Sequence, residues 1–213
     1  MAKTQRKSVP NNDRLVEIYR TAAEIILRKG YDATSVNDIA NALGMTKAGL
    51  YHYIHGKKEL LFDIMNYGME ELDREVVIPA RKITDAKARL QFMIVSHTQL
   101  VTRGQGAVTI LVDEITALTP AQHRKITHHK RFYFDFLRDT LEQLKAEGKL
   151  LDVNTTVATF TLLGMILWPS RWFRHDGSLT SEQVAQEILK IAVQGLLRPD
   201  SVKAQRGFKL VES

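Results

Sequence analysis

Along almost the whole chain the apolar residues recur at steps of three and four, and no stretch alternates apolar with polar over the length of a strand. Leu15, Ile18, Ala22, Ile25 and Ile26 set the pattern, and later segments repeat it. A chain so patterned cannot build a sheet with one buried face, so the expected fold class is all-α. The punctuation predicts further helices over about 85–103, 106–117, 120–147, 153–174 and 181–197. They are separated by Gly104/Gly106, "LTP", "EGKLLD" and "RHDGSLT". Pro79 is expected to break the chain.

The front of the chain carries finer signals. Lys3, Arg6, Lys7 and Pro10 read as a basic arm, and Asn11 or Asn12 can cap the first helix. That helix stops at "RKGY", where Gly30 accepts a left-handed backbone and Arg28 and Lys29 suit the negative end of the helix dipole. Ser35 caps a short helix, with Asp38 three residues on in a capping-box arrangement. Val36, Ile39, Ala40 and Leu43 form its buried face, and Gly44 ends it. Thr46 caps a second short helix, Lys47 to about Ile54, and a longer one runs from about Lys57 to Val77. Two short helices joined by a tight turn are the layout of a helix-turn-helix. The expected division is residues 1–57, a basic arm with a three-helix DNA-binding domain, and 58–213, a larger helical effector-binding and dimerisation domain.

Charge agrees with a polyanionic partner. The net charge is +6, and residues 1–60 hold ten Lys/Arg against six Asp/Glu, while the remainder holds 20 against 18. The basic excess therefore sits on the segment with the helix-turn-helix pattern. With no cysteine, disulfides, zinc ribbons and thiol nucleophiles are excluded. The opening residues lack the apolar core of a secretory signal. The longest apolar run, Val157 to Trp168, is twelve residues against the roughly 20 that span a bilayer. A cytoplasmic chain without membrane partner is the expectation.

Within "GMTKAGLYHYIHGKKELL", residues 44–61, the chemistry suits a DNA-reading helix. The second helix of such a motif enters the major groove with its N-terminal residues on base edges. Thr46 caps; Lys47, Ala48 and Gly49 form a small polar turn that permits close approach; Leu50 anchors. Tyr51 and His52 project outward. Lys57 starts the next helix, where exposed N–H groups already favour a phosphate oxygen. Phosphate contacts are assigned to Thr34, Tyr51 and Lys57, and base readout to Lys47, Ala48, Gly49 and His52. Taken singly, each residue also fits a solvated helix packed on its neighbours. A metal reading of His52, His55 and Glu59 lacks the ligand count that zinc takes, so no metal is expected.

Residues 22–64, "AAEIILRKGYDATSVNDIANALGMTKAGLYHYIHGKKELLFDI", resemble the DNA-binding domain of the TetR family of bacterial transcriptional regulators. The likeness lies in the helix ending Gly-Tyr, the "TSVNDIA" entry and "LYHYIHGKKEL". Ile54 stands where Phe is common, and Gly56 where Ser or Asn often caps the fourth helix; both are expected to be tolerated. The resemblance implies a homodimer on a roughly palindromic operator, with the last two helices forming a four-helix interface. Those helices carry a second apolar stripe, which a surface helix does not need. Ala158, Gly164, Ile188, Ile191 and Gly195 are the interface candidates.

An effector pocket is expected among the middle helices. Candidates are Met93, His97, Leu100, Leu111, Glu114, Phe132, Phe136, Phe160, Trp168, Arg171 and Trp172, although each apolar one serves equally as core. "WPSRWFRHDGSLTSEQVAQ", residues 168–186, looks like the C-terminal region of TetR regulators that respond to acyl-CoA thioesters. Pro169 departs from that pattern and predicts a kink or break. Arg171, Arg174 and the run His123, Arg124, Lys125, His128, His129, Lys130 and Arg131 are candidate CoA-phosphate partners, or else a solvated basic face. The expected function is a ligand-released repressor that is not an enzyme and needs no cofactor. Three alternatives remain: the same regulator scaffold sensing a non-CoA hydrophobic compound; an all-α enzyme using His97, Asp113, Glu114 or the His128–His129 pair, which lacks a nucleophile with a matched base; and a constitutive DNA-binding protein without a pocket.

Overall fold

The computed structural model describes residues 11–103, 110 and 117–199, and there the chain is helical with no strand. The basic arm, most of the expected 106–117 helix with Leu111, Asp113 and Glu114, and the tail from residue 200 lie outside the described residues.

Helix α1 (Asn11–Lys29) contains Asn11 and Asn12 within its first turn. It buries Ile18, Ala22, Ala23, Ile25 and Ile26, and the Gly30 N–H closes it on the Ile26 carbonyl at 2.7 Å. Helix α2 (Val36–Ala42) has its expected capping box: Asp38 N–H donates to Ser35 Oγ, and Ser35 N–H donates back to Asp38. The turn to α3 (Lys47–Tyr51) rests on Gly44, whose φ of +62° is strained for any side chain. Met45 N–H then returns to the Ala40 carbonyl at 2.9 Å, satisfying an end carbonyl of α2. Helix α3 is a turn shorter than its periodicity implied, although Ile54 beyond it is still buried.

Helix α4 (Lys57–Leu72) packs on α1 and, further along, on the long helix of the larger domain. Pro79 does not break the chain where expected. A π-helical turn, Asp73–Val77, sends the Ile78 N–H five residues back to the Asp73 carbonyl, and helix α5 (Ile78–Ala80) carries Pro79 inside it. Such a turn shifts the backbone pairing and places the missing donor where none is needed.

The larger domain is built around α6 (Ala86–Thr102), flanked by α7 (Pro120–Ala146), α8 (Thr155–Leu167) and α10 (Ser181–Leu196). Side chains of Asp85, Thr119, Asn154 and Thr180 cap these four, with Pro120 at the first position of α7. The expected 153–174 helix is divided at Pro169: α8 ends at Leu167, and a short α9 (Pro169–Trp172) follows. The end of α10 is tied back by an isolated bridge, Leu150 to Leu197, and by Arg198 donating to the Leu150 carbonyl at 3.1 Å.

Candidate DNA-reading face and effector cavity

Helix α3 is five residues long and gains little from its own hydrogen bonds, so its position is set by two anchors. Thr46 Oγ1 accepts from the Gly49 N–H at 3.0 Å, and Leu50 is fully buried in the core, where α3 packs on α2. A Cβ on residue 49 would lie 3.1 Å from Thr46 Oγ1, so the glycine keeps the cap close. With the inner side pinned, Thr46, Lys47, Ala48, Tyr51 and His52 are exposed together, and Gly49 is half-buried. This is a small, polar, convex surface of the kind that fits a groove.

Two assigned phosphate contacts turn out to hold the fold. Thr34 is buried, and its hydroxyl donates to the Gly30 carbonyl at 2.8 Å, so it is not presented to DNA. Lys57 starts α4, but its ammonium lies 4.2 Å from the centre of the Tyr31 ring and donates to the Asp32 carbonyl at 3.3 Å. It clamps the α1–α2 loop onto α4; an ammonium has three donors, so further contacts stay open. Gly56 is more than a tolerated cap. Its φ of +136° lies where Ser or Asn is strained, and α4 begins without a side-chain cap. The ion pair Lys29–Asp38 at 3.1 Å and the Arg14 bond to the Leu43 carbonyl at 3.3 Å also fasten α1 to α2. Sequence reasoning missed both, because partners so far apart in the chain leave no periodic signal.

A cavity of about 630 Å³ lies between α4, α6, α7 and α8. Met69 and Leu72 come from α4, His97 from α6, and Thr156, Phe160, Leu163, Gly164 and Leu167 from α8. Helix α7 adds Thr127, Lys130, Arg131, Tyr133, Phe134 and Arg138. The wall is thus mainly apolar, with three cations on one helix. Arg131 pairs with Asp135 at 3.1 Å, and Arg138 with Asp135 at 3.0 Å and Asp139 at 3.1 Å. Phe134 and Phe160 close ring on ring at 4.7 Å.

Of the candidate effector residues, the cavity brings together His97 and Phe160, with Lys130 and Arg131 of the basic run. Met93 and Leu100 are fully buried core and do not line it. Phe132 and Phe136 face Arg81, whose guanidinium lies 4.9 and 5.7 Å from their ring centres. Trp168, Arg171 and Trp172 are exposed outside the cavity, and Arg174 is paired with Asp176 at 2.9 Å. Arg138, Thr127 and Tyr133 were missed. They lie on α7 at helical spacing, but only the packing shows which face of α7 borders a void.

His97 and Tyr133 form the most unusual polar pair of the cavity. Both are buried, and His97 Nδ1 lies 2.9 Å from the Tyr133 hydroxyl. Burial alone holds the imidazole neutral, pushing its pKa from 6.5 down to about 3, and it drives the phenol upward. Near neutral pH the imidazole is therefore uncharged and the phenol protonated.

Helix α8 divides into three faces. Ala158, Thr159, Leu162 and Ile166 enter the protomer's own core, so Ala158 offers no surface to a partner. A second face lines the cavity. The third exposes Val157 and, just past the helix end, Trp168, with Gly164 exposed at its border with the cavity face; beside it α10 exposes Ile191 and Gly195, with Ile188 half-buried. Such a run of exposed apolar side chains marks an interaction surface. Among the described residues no helix is long and apolar enough to cross a membrane.

Residues 18–64 match the family described as "Bacterial regulatory proteins, tetR family", and residues 84–196 match "Tetracyclin repressor-like, C-terminal domain". The HTH-type transcriptional repressor KstR2 of Rhodococcus jostii (strain RHA1) is 28% identical over 194 residues, covering 87% of this chain and 92% of that protein. Among solved structures, AibR in complex with isovaleryl coenzyme A and operator DNA is 40% identical, with a TM-score of 0.76 over 84% of this chain and 97% of that one. PfmR from Thermus thermophilus is 29% identical, with a TM-score of 0.74 over 83% and 97%. The short capped reading helix and the helical cavity domain behind it are thus those of a known group, and the chain belongs to the tetR family of bacterial regulatory proteins.

Proposed function

We propose that the protein is a homodimeric transcriptional repressor that binds a palindromic operator and is released from it by a small acyl-CoA thioester. The observation that carries this reading is the position of α4. Its first residue, Lys57, clamps the loop of the DNA-reading domain, while Met69 and Leu72, near its other end, line the cavity. A ligand that fills the cavity therefore pushes on the same helix that seats the reading head.

In this account Lys47, Ala48, Gly49 and His52 read base edges, Tyr51 contacts phosphate, and Thr46 holds the turn that presents them. The exposed α8–α10 surface pairs two protomers, setting half-sites at about 34–36 Å or a multiple of it. A mainly apolar wall with Lys130, Arg131 and Arg138 on one helix suits an acyl group joined to a phosphorylated carrier. The likeness to AibR, whose complex holds isovaleryl coenzyme A and operator DNA, supports that effector class. Coupling between two such sites typically amounts to about 1–3 kcal/mol.

Gel-shift titration of DNA flanking the protein's own gene tests the DNA half of the proposal. Lys47→Ala and Tyr51→Ala are expected to lose most binding while remaining folded dimers. Unchanged affinity in both would remove α3 as the reading helix.

A further inference from the structure

The cavity contains one polar pair that the fold does not need. His97 is 2% exposed and Tyr133 is 4% exposed, and both line the cavity. The Tyr133 hydroxyl lies 2.9 Å from His97 Nδ1, and His97 Nε2 is buried with no hydrogen-bond partner among the described residues. A core that only needed filling would be better served by Phe and Leu, because an unmatched buried polar atom is a net cost.

The pair also determines which way its protons point. If Nδ1–H donated to Tyr133, two atoms would be left over: the phenolic hydrogen and a bare Nε2. If Tyr133 donates to Nδ1, a single group is left over, the Nε2–H. The arrangement with fewer orphans is favoured, so the imidazole of this cavity-lining residue carries a lone, buried N–H donor.

We propose that His97 Nε2–H, oriented by Tyr133, is the specificity-determining donor that reads the carbonyl oxygen of the effector's acyl group. The proposal rests on the acyl-CoA reading above and deepens it. An imidazole kept neutral by burial offers a hydrogen bond without a charge. It therefore matches a thioester carbonyl, which is neutral, and gives no ion pair to a free carboxylate. Lys130, one turn before Tyr133 on α7, and Arg131 beside it also line the cavity. Tyr133, which orients His97 from α7, and the phosphate-attracting cations thus fall along one helix, at a rise of about 1.5 Å per residue. His97 selects for the acyl group, while the cations favour the carrier.

The test uses the full-length dimer and three probes in calorimetric titration: isovaleryl-CoA, its thioether analogue S-isopentyl-CoA, which lacks only the carbonyl oxygen, and free CoA. The expected result is that the thioether binds about tenfold more weakly than the thioester to the native protein. In His97→Phe the two should bind alike, and in Tyr133→Phe the ratio should shrink while the ring remains. Because the main comparison changes the ligand and not the protein, a poorly folding variant does not void it. Equal binding of thioester and thioether to the native protein overturns the carbonyl-reading role and leaves the acyl-CoA effector standing. Binding of neither, or of free CoA as tightly as both, overturns the effector class and this assignment with it.

Discussion

Arg20 on α1 donates to the hydroxyl of Tyr67 on α4 at 3.4 Å. Tyr67, Glu70, Glu71 and Arg74 border α1 on one face of the α4 rod and its π-helical continuation, while Met69 and Leu72 face the cavity on the opposite side. Glu71 is buried and ion-paired with Arg74 beside this seam. The α4 helix is thus a shared wall, with its polar face on α1 and its apolar face on the cavity. Tyr67→Phe is expected to keep operator and effector binding separately, yet to reduce the effector-induced drop in operator affinity. Measuring both affinities in a full thermodynamic cycle checks this; an unchanged coupling ratio would place the transmission elsewhere.

Lys57→Ala removes the ammonium from the Tyr31 ring and the Asp32 carbonyl. The expected cost is about 0.5–1 kcal/mol in unfolding free energy. If the side chain also reaches a phosphate, the slope of log affinity against log salt should fall by about 1. Chemical denaturation together with binding at several salt concentrations separates the clamp from the phosphate contact.

Thr34→Val isolates a residue that the pattern alone placed at the DNA. The buried hydroxyl satisfies the Gly30 carbonyl, so its loss should destabilise the fold by about 1 kcal/mol. Operator affinity per folded dimer should stay unchanged. A selective loss of DNA binding at full stability would restore the phosphate role.

These contrasts mark what the sequence made legible. The caps Ser35 and Thr46 were readable because each acts on backbone within three residues of itself. The reading helix was readable for the same reason, with Leu50 the single apolar anchor between polar neighbours. The buried position of Thr34 and the clamp made by Lys57 were not legible, because their partners are set by how the α1–α2 loop folds back. Pro79 was misjudged because a π-helical turn makes room for it, and no composition rule signals one. The cavity was only partly visible, since helical spacing gives a helix its apolar faces but not which face meets another helix and which meets a void. Met93 and His97 lie one turn apart on α6; only His97 borders the cavity.

The stability of the protein should depend on pH through His97. Its pKa stands near 6.5 when unfolded and is held at about 3 by burial in the folded chain. Between those values the unfolded chain takes up a proton that the folded chain does not, so stability falls as the pH drops below 6.5. The slope for one proton approaches about 1.4 kcal/mol per pH unit. Asp38 adds its own loss only at lower pH. Hydrogen bonds from Ser35 and then Lys29 hold its pKa near 2 against 3.8, so its contribution fades as the pH falls below about 4. Denaturation of His97→Phe between about pH 4.5 and 6.5 should therefore show a flatter profile than the native protein; an identical slope would assign the dependence to other groups.

The central claim is that one dimer both reads an operator and releases it when its cavity is filled. Fluorescence anisotropy of labelled operator DNA, titrated with the protein at fixed salt with and without saturating isovaleryl-CoA, tests that claim most directly. Tight binding is expected without the thioester and a roughly 5–150-fold weaker Kd with it, the usual range of such coupling. Equal affinity in the two titrations, with calorimetry showing the thioester bound, would contradict it.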